Sequence, residues 1–269
     1  MDYTLNVKGR LMDLSRPKVM GILNVTPDSF FSDSRAQTEH DIMARARELV
    51  TQGAAIVDVG ACSTRPGSEP ASESEEMRRL RLALGTIRRE MPQIVVSVDT
   101  FRPNVARMVV EEYGADIIND VSGGCEEMFR LVTKMGVPYV LSSVDGTMHD
   151  MLLTLAGKVQ QLRDFGQKDI ILDPGFGFGK TLEQNYEVMC ELERLLVFEL
   201  PILVGVSRKS MIYRRLGGSP LESLNGTTVL NTLSLMKGAS ILRVHDVREA
   251  MECVSIVEGV RREGVCSSK

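Results

Sequence analysis

Polar and charged side chains stand at or near the C-terminal ends of a series of short apolar runs. In order they are Asn24, Asp58, Asp99, Asn119, Ser142 with Ser143, Asp173, the Ser207-Arg208-Lys209 triplet, and Arg243 with His245. All but the fifth of these ends carry amides, carboxylates or cations able to converge on one cavity. One or two such residues would be ordinary helix caps or loop polars, since Asp and Asn often cap a following helix. Their repetition speaks instead for a ligand cavity.

The runs that carry them are Lys18–Leu23, Ala55–Val59, Ile94–Val98, Asp116–Ile118, Pro138–Leu141, Asp169–Leu172, Pro201–Val206 and Ser240–Val244. They are short and rich in β-branched residues, as strands are. Between them apolar residues recur at helical spacing, as at Val105, Met108, Val109 and Tyr113, or Ala250, Val254 and Val257. Strands alternating with helices predict a parallel sheet with helical crossovers. A doubly wound open sheet shows the same alternation, but eight units with no leftover segment favour a closed (β/α)8 TIM barrel, which places its chemistry at the C-terminal ends of its strands. The expectation is one domain over residues 1–269, with residues 1–17 a possible hairpin plugging the barrel floor.

Bulk properties agree. A chain of 269 residues with 43% hydrophobic content can bury a barrel-sized core. The 32 Lys plus Arg against 36 Asp plus Glu give a net charge of −4, so nothing points to nucleic acid or an anionic membrane, and a bound anion needs a local site. The N-terminus, MDYTLNVKGR, lacks a secretory apolar run, and no stretch of about 18 apolar residues could span a bilayer. A cytoplasmic protein is expected. Cys62, Cys125, Cys190, Cys253 and Cys266 are scattered and never form a C-x-x-C pair, which argues against a disulfide framework or zinc site.

The strings GILNVTPDSFF (21–31), STRPG (63–67), SVDTFRP (97–103), IINDVSGG (117–124), ILDPGFGFGK (171–180), VGVSRKS (204–210) and ILRVHDV (241–247) run in one order over nearly the whole chain. Together they resemble the signature blocks of the dihydropteroate synthase family, whereas GFGFGK alone would be a weak signal. The resemblance implies a transferase that condenses 6-hydroxymethyl-7,8-dihydropterin pyrophosphate with 4-aminobenzoate, releasing pyrophosphate by a dissociative, SN1-like course.

It also implies the roles. A pterin edge carries a guanidine-like pair of N–H donors that a carboxylate accepts in bidentate fashion, which suits Asp173. Asn119 and Lys209 complete the pterin set, and Asp99 would stabilise positive charge as pyrophosphate leaves. The alternative role for Asp99 is a cap on the helix at Arg102–Tyr113. Thr64, Arg65, Arg243 and His245 would hold pyrophosphate. Asn24, with help from Asp58, would hold Mg2+, a hard ion that takes oxygen ligands. Ser210, at a helix N-terminus, would anchor the 4-aminobenzoate carboxylate, with Pro66 and Phe30 lining its ring. His40 and His149 read as ordinary core or surface residues. The segments Thr26–Gln37 and Ser63–Ser74 are either substrate-covering loops or plain surface loops. A homodimer is expected, with Leu224, Val229, Leu230, Leu233 and Met236 in the helix Leu221–Lys237 offering more apolar surface than one core stripe needs.

Two departures from the family stand out. After the fifth strand the usual Met-His-Met stretch is Ser142-Ser143-Val144, which would cost an apolar platform, and Cys62 stands where Glu is common. A catalytically degenerate pterin-binding paralogue and a pterin-dependent methyltransferase domain are the alternatives. The set Asp99, Asp173, Lys209, Arg243 and His245 speaks against the first, and STRPG, the SRKS lysine and the RVH ending against the second.

Overall fold

The structure, a computed structural model, describes residues 3–26, 38–62 and 71–266. The chain opens with an antiparallel hairpin, β1 (Thr4–Val7) and β2 (Arg10–Asp13). Eight further strands follow: β3 (Lys18–Asn24), β4 (Ile56–Gly60), β5 (Val95–Asp99), β6 (Ile117–Asp120), β7 (Tyr139–Ser142), β8 (Ile170–Asp173), β9 (Leu203–Val204) and β10 (Ile241–Val244). They pair in parallel in the order β8-β7-β6-β5-β4-β3-β10-β9. A parallel bridge between Leu172 and Ile202 joins the two ends. The barrel is therefore closed, and the open-sheet alternative is excluded.

Each crossover is helical, and a last helix follows the final strand: α1 (Glu39–Thr51), α2 (Glu73–Glu90), α3 (Pro103–Tyr113), α4 (Glu126–Met135), α5 (Met148–Phe165), α6 (Leu182–Cys190), α7 (Ser210–Leu216), α8 (Leu224–Met236) and the terminal α9 (Val247–Cys266). Sequence chemistry sets the ends. Thr38, Ser72, Thr147 and Thr181 cap α1, α2, α5 and α6 through their hydroxyls, and Gly114, Gly136 and Gly166 close α3, α4 and α5 in left-handed conformation.

Two boundaries differ from expectation. The seventh strand is only Leu203–Val204, because Pro201 has no N–H to give a neighbour and Val206 already accepts from Lys209 N across a turn. The helix expected over Leu221–Lys237 begins at Leu224. A Ser219–Glu222 capping box with Pro220 at the first position forms a separate 3-10 turn there, Pro220–Glu222.

Side-chain alternation sorts the strands into two cores. Outward residues such as Val57, Val98, Ile118, Tyr139 and Leu242 pack against the helices. The inward cluster holds Met20, Ile56, Ile117, Val140, Ile171, Leu203 and Ile241 from the strands together with Leu5, Val7 and Leu14 from the hairpin segment. The hairpin thus packs beneath the barrel interior. It is held there by Lys8, which pairs with Asp116 at 2.8 Å, and by Asn6 N, which donates to Asp169 Oδ1 at 2.9 Å.

Candidate active site

On six of the eight barrel strands the same inward face changes character two residues further along. Asp58 follows Ile56, Ser97 and Asp99 follow Val95, Asn119 follows Ile117, Ser142 follows Val140, Asp173 follows Ile171, and Arg243 follows Ile241. An apolar floor therefore carries a polar layer toward the C-terminal rim. Ser142, at the one strand end that sequence reading set apart, belongs to that layer.

Arg243 organises one side of it. Its Nε donates to Asp58 Oδ2 at 2.7 Å and its Nη2 to Asp99 Oδ2 at 2.8 Å. Asn119 Nδ2 donates to the same Asp58 oxygen at 3.2 Å. Burial raises Asp99 to about 7 against the pull of Arg243, and the Asp58 charge adds to the rise. Burial works against the Arg243 charge too, but the two carboxylates outweigh it and hold the guanidinium above its ordinary value. Asp99 caps no helix: α3 starts after Arg102 without a side-chain cap. Among the described residues, Asp58 Oδ1, Asn119 Oδ1 and Ser97 Oγ are buried without a hydrogen-bond partner. Two of these are acceptors only, suited to N–H donors on a ligand.

Asp173 lies across the barrel in the DPGFGFG turn. Gly175 N donates to its Oδ1 at 2.8 Å and Ser142 Oγ to its Oδ2 at 3.2 Å. Each oxygen keeps a further acceptor site for a planar two-donor edge. The turn demands glycine at 175, where φ is +65° and a Cβ would lie 1.9 Å from the Ser143 carbonyl oxygen. Lys180 ties the turn together by donating to the carbonyls of Ser143, Gly175 and Phe178 at 3.2, 3.0 and 3.4 Å. Lys209 donates to the Phe176 carbonyl, and its ammonium sits 4.6 Å from the Phe178 ring centroid. Burial lowers Lys209 to about 8, against the opposing pull of Asp173, with the Arg243 and Lys180 charges reinforcing the drop.

His245 projects from the end of β10. Ser207 Oγ accepts from the His245 backbone N at 3.1 Å and lies 3.1 Å from its Nδ1. We assign the Ser207 hydrogen to Nδ1, which leaves the imidazole neutral with a donor at Nε2. Burial, then the charges of Arg243, Arg45, Arg208 and Lys209, lower His245 to about 3, in keeping with a neutral ring. Next door, Arg208 grips Asp246 in a fork of two 2.8 Å bonds and donates to the carbonyls of Pro220 and Leu221. Its backbone is left-handed, φ +54°, with its N–H on Thr227 Oγ1. That fork fixes the strand ends bearing Lys209 and His245 relative to each other. Ser210 is the first residue of α7 and half-buried.

The structure thus brings Asp99, Asn119, Asp173, Lys209, Arg243 and His245 to one rim. Thr64, Arg65, Pro66 and Phe30 lie outside the described residues. The flanks of the second loop are held by arginines, Arg79 on the Ala61 carbonyl at 3.1 Å and Arg102 on that of Ala71 at 2.7 Å. Asn24 stands half-buried at the end of β3, its Oδ1 close over Gly60. Asp58, expected beside it as a metal helper, gives its Oδ2 to Arg243 and keeps Oδ1 without a hydrogen-bond partner. Cys62 is half-buried, with burial raising its thiol. Sequence places Ser207 and Arg208 at the rim and Asp246 and Lys180 within the motif strings, but spacing gives no sign of the partnerships by which they hold the site together.

Residues 20–245 match the family model for pterin binding enzymes. A dihydropteroate synthase of Escherichia coli (strain K12) is 36% identical, covering 94% of this chain and 95% of its own length. The chain belongs to the dihydropteroate synthase family. These enzymes are transferases of folate biosynthesis. The Clostridium beijerinckii dihydropteroate synthase is 40% identical over 92% of this chain and 95% of its own. Among solved structures, a Yersinia pestis dihydropteroate synthase with a sulfonamide drug complex superposes with a TM-score of 0.90 at 35% identity, covering 97% of this chain and 100% of that one. A Xanthomonas albilineans dihydropteroate synthase with 4-aminobenzoic acid gives 0.88 at 33% identity, covering 97% and 99%. The pterin-dependent methyltransferase alternative is set aside by these likenesses.

Proposed function

We propose that the polar layer performs the family reaction with a division of labour that its geometry suggests. Asp173 accepts the two N–H donors of the pterin edge, Asn119 Oδ1 takes a further ring donor, and Lys209 donates to the ring oxygen or nitrogen. The observation that carries this reading is the pair of open acceptor sites on Asp173, opposite the buried, unpartnered oxygens of Asp58 and Asn119. Heterolysis of the methylene carbon–oxygen bond sends its electron pair to pyrophosphate, leaving a cation that the ring delocalises. Asp99, beside Arg243, stabilises that cation, while Arg243 and the neutral Nε2–H of His245 stabilise the leaving group with Thr64 and Arg65. The amine nitrogen of 4-aminobenzoate then forms the new carbon–nitrogen bond and loses a proton to water or pyrophosphate. Its carboxylate is anchored at Ser210, with Pro66 and Phe30 against the aryl ring. The chain contributes positioning and electrostatics, and no covalent enzyme intermediate is required.

Among the described residues no group of three His, Cys, Asp or Glu is arranged to hold a metal. Asn24 Oδ1 is a hard oxygen at the rim, and it fits Mg2+ only as a single protein ligand, the remainder coming from pyrophosphate and water. Bound there, Mg2+ would neutralise leaving-group charge.

We further propose a homodimer through α8 and α9. Val229, Leu233 and Met236 share one exposed face of α8, beside exposed Ile256 and Val260 on the adjoining α9. Among the described residues no helix is long and apolar enough to cross a membrane, which accords with a cytoplasmic location. Sedimentation giving only monomer at micromolar concentration would refute the dimer.

The activity test is pyrophosphate release from dihydropterin pyrophosphate with Mg2+, with and without 4-aminobenzoate, in the parent and in Lys209→Ala. Release that depends on 4-aminobenzoate and is lost in the variant is expected. Tight pterin binding without release would instead point to the degenerate paralogue.

A further inference from the structure

Ser142 has no part in the scheme above, yet it is fully buried in the polar layer. It ends β7 and sits in register with Asp173 on β8. Its hydroxyl donates to Asp173 Oδ2 at 3.2 Å, and the only other described bond to that carboxylate is Gly175 N on Oδ1 at 2.8 Å. The next residue reinforces the pairing, since Ser143 N donates to the Asp173 carbonyl at 2.8 Å.

A carboxylate on a strand end retains rotation about its Cβ–Cγ bond, a broad torsion with little preference of its own. A single donor on Oδ1 leaves that rotation weakly restrained. Donors on both oxygens, one from a backbone amide in a glycine-locked turn and one from a buried strand side chain, define the plane of the group. That matters only for a ligand that engages both oxygens at once from a flat edge, because a bidentate contact needs the two planes aligned.

We propose that Ser142 is a positioning and specificity-determining residue, whose hydroxyl sets the plane of Asp173 for a ligand presenting a coplanar pair of N–H donors, the aminopyrimidinone edge of a pterin. This rests on the reading that Asp173 binds that edge. Ser142 acts in recognition, before bond cleavage, so its loss raises KM and leaves kcat in place. Ligands that offer Asp173 one N–H gain little from a fixed plane, and Ser142 therefore discriminates for two-donor edges over one-donor analogues.

The test measures KM and kcat for dihydropterin pyrophosphate, and calorimetric affinity for 6-hydroxymethylpterin and its 2-deamino analogue, in the parent, Ser142→Ala, Ser142→Thr and Asp173→Asn. Ser142→Cys, which keeps the volume but donates weakly, substitutes for the alanine variant if melting shows that one to be unfolded. Expected are a KM raised about tenfold in Ser142→Ala with kcat within about twofold, near-parental values in Ser142→Thr, and a narrowed preference for the two-donor pterin over the deamino analogue. A folded Ser142→Ala or Ser142→Cys with unchanged KM and preference, alongside an Asp173→Asn that no longer binds pterin, overturns the role of Ser142 alone. A loss confined to kcat overturns it as well. Unchanged pterin affinity in Asp173→Asn overturns the underlying reading and the proposal together.

Discussion

Arg243 Nη2 reaches Asp99 Oδ2 at 2.8 Å across the barrel mouth, joining the end of β10 to the end of β5. The same guanidinium binds Asp58 on β4, one of the two strands between, so one cation answers two carboxylates. Arg243→Ala would leave both carboxylates facing each other in a buried place. Uncompensated charges of this kind cost about 3–5 kcal/mol. Urea unfolding should show a loss of that size, and adding Asp58→Asn should recover part of it. Activity should fall by about a hundredfold or more, as for removal of a transition-state donor, and a stable, fully active Arg243→Ala would contradict the network.

The pH profile of kcat/KM should be a narrow bell. Asp99 must be ionised to stabilise a cation, so activity rises with pH through about 7. Lys209 must be protonated to donate, so activity falls through about 8. Lys209→Arg, which stays charged, should extend the alkaline limb, and Asp99→Asn should abolish the acid limb at much lower rate. Burial also brings Lys180 to about 8, despite Asp173 and Asp145. An alkaline limb that survives in Lys209→Arg would assign it there instead.

Stability should respond to pH through Asp99 and His245 in opposite senses. Between about 4 and about 7 the unfolded chain has lost the Asp99 proton that the folded one retains, so this carboxyl contributes less stability as pH rises. His245, held down to about 3, stays neutral in the folded state while the unfolded ring gains a proton below about 6.5. Its contribution is lost as pH falls. Denaturation midpoints at pH 4.5 and 7.5 should therefore move upward with pH more in Asp99→Asn than in the parent, and less in His245→Gln.

Arg208→Lys should behave almost as badly as Arg208→Ala. The fork onto Asp246 requires two parallel donors, which an ammonium lacks, and the residue is largely buried. Either change should lower the melting temperature and raise KM, because the supports of Lys209 and His245 loosen together. A lysine variant with parental KM would show that the fork does not position them.

Gly175→Ala should be more harmful than an ordinary glycine-to-alanine change. The added carbon meets the Ser143 carbonyl oxygen, and the positive φ disfavours a side chain in any case. A cost beyond about 1 kcal/mol is expected, together with weakened pterin affinity, since Gly175 N is one of the donors to Asp173. Denaturation and calorimetric titration of the same variant would check both.

Much of this arrangement was legible in sequence because barrels couple position along a strand to function. Ile56 and Asp58, or Ile171 and Asp173, are two apart, so both face inward, and the later of each pair nears the rim. The family blocks then separated Asp173 and Lys209 from polar residues of no special role. What escaped were partnerships between distant segments. Nothing near Asp58 in sequence announces Arg243, 185 positions away. Arg208 and Asp246 likewise sit in different motifs, and only the pairing of β9 with β10 brings those motifs together. The sequence overextends the seventh strand because apolar, β-branched residues continue past the point where hydrogen bonding stops. Ser142 looked like a deficit, a missing platform, because sequence records which atoms are lost and not which bond a replacement makes.

The change from apolar floor to polar layer along six of the barrel strands also divides the barrel by its tolerance of mutation. Below that level, exchanging Ile117 for valine or Val140 for isoleucine is a question of volume, and one wall can compensate for another. Above it, each position answers to a particular atom of a neighbour or ligand, and compensation across the barrel has no currency. Lineages of this barrel should therefore drift at the bottom while standing still at the top, so that comparing the two depths within one strand would separate inherited architecture from inherited chemistry.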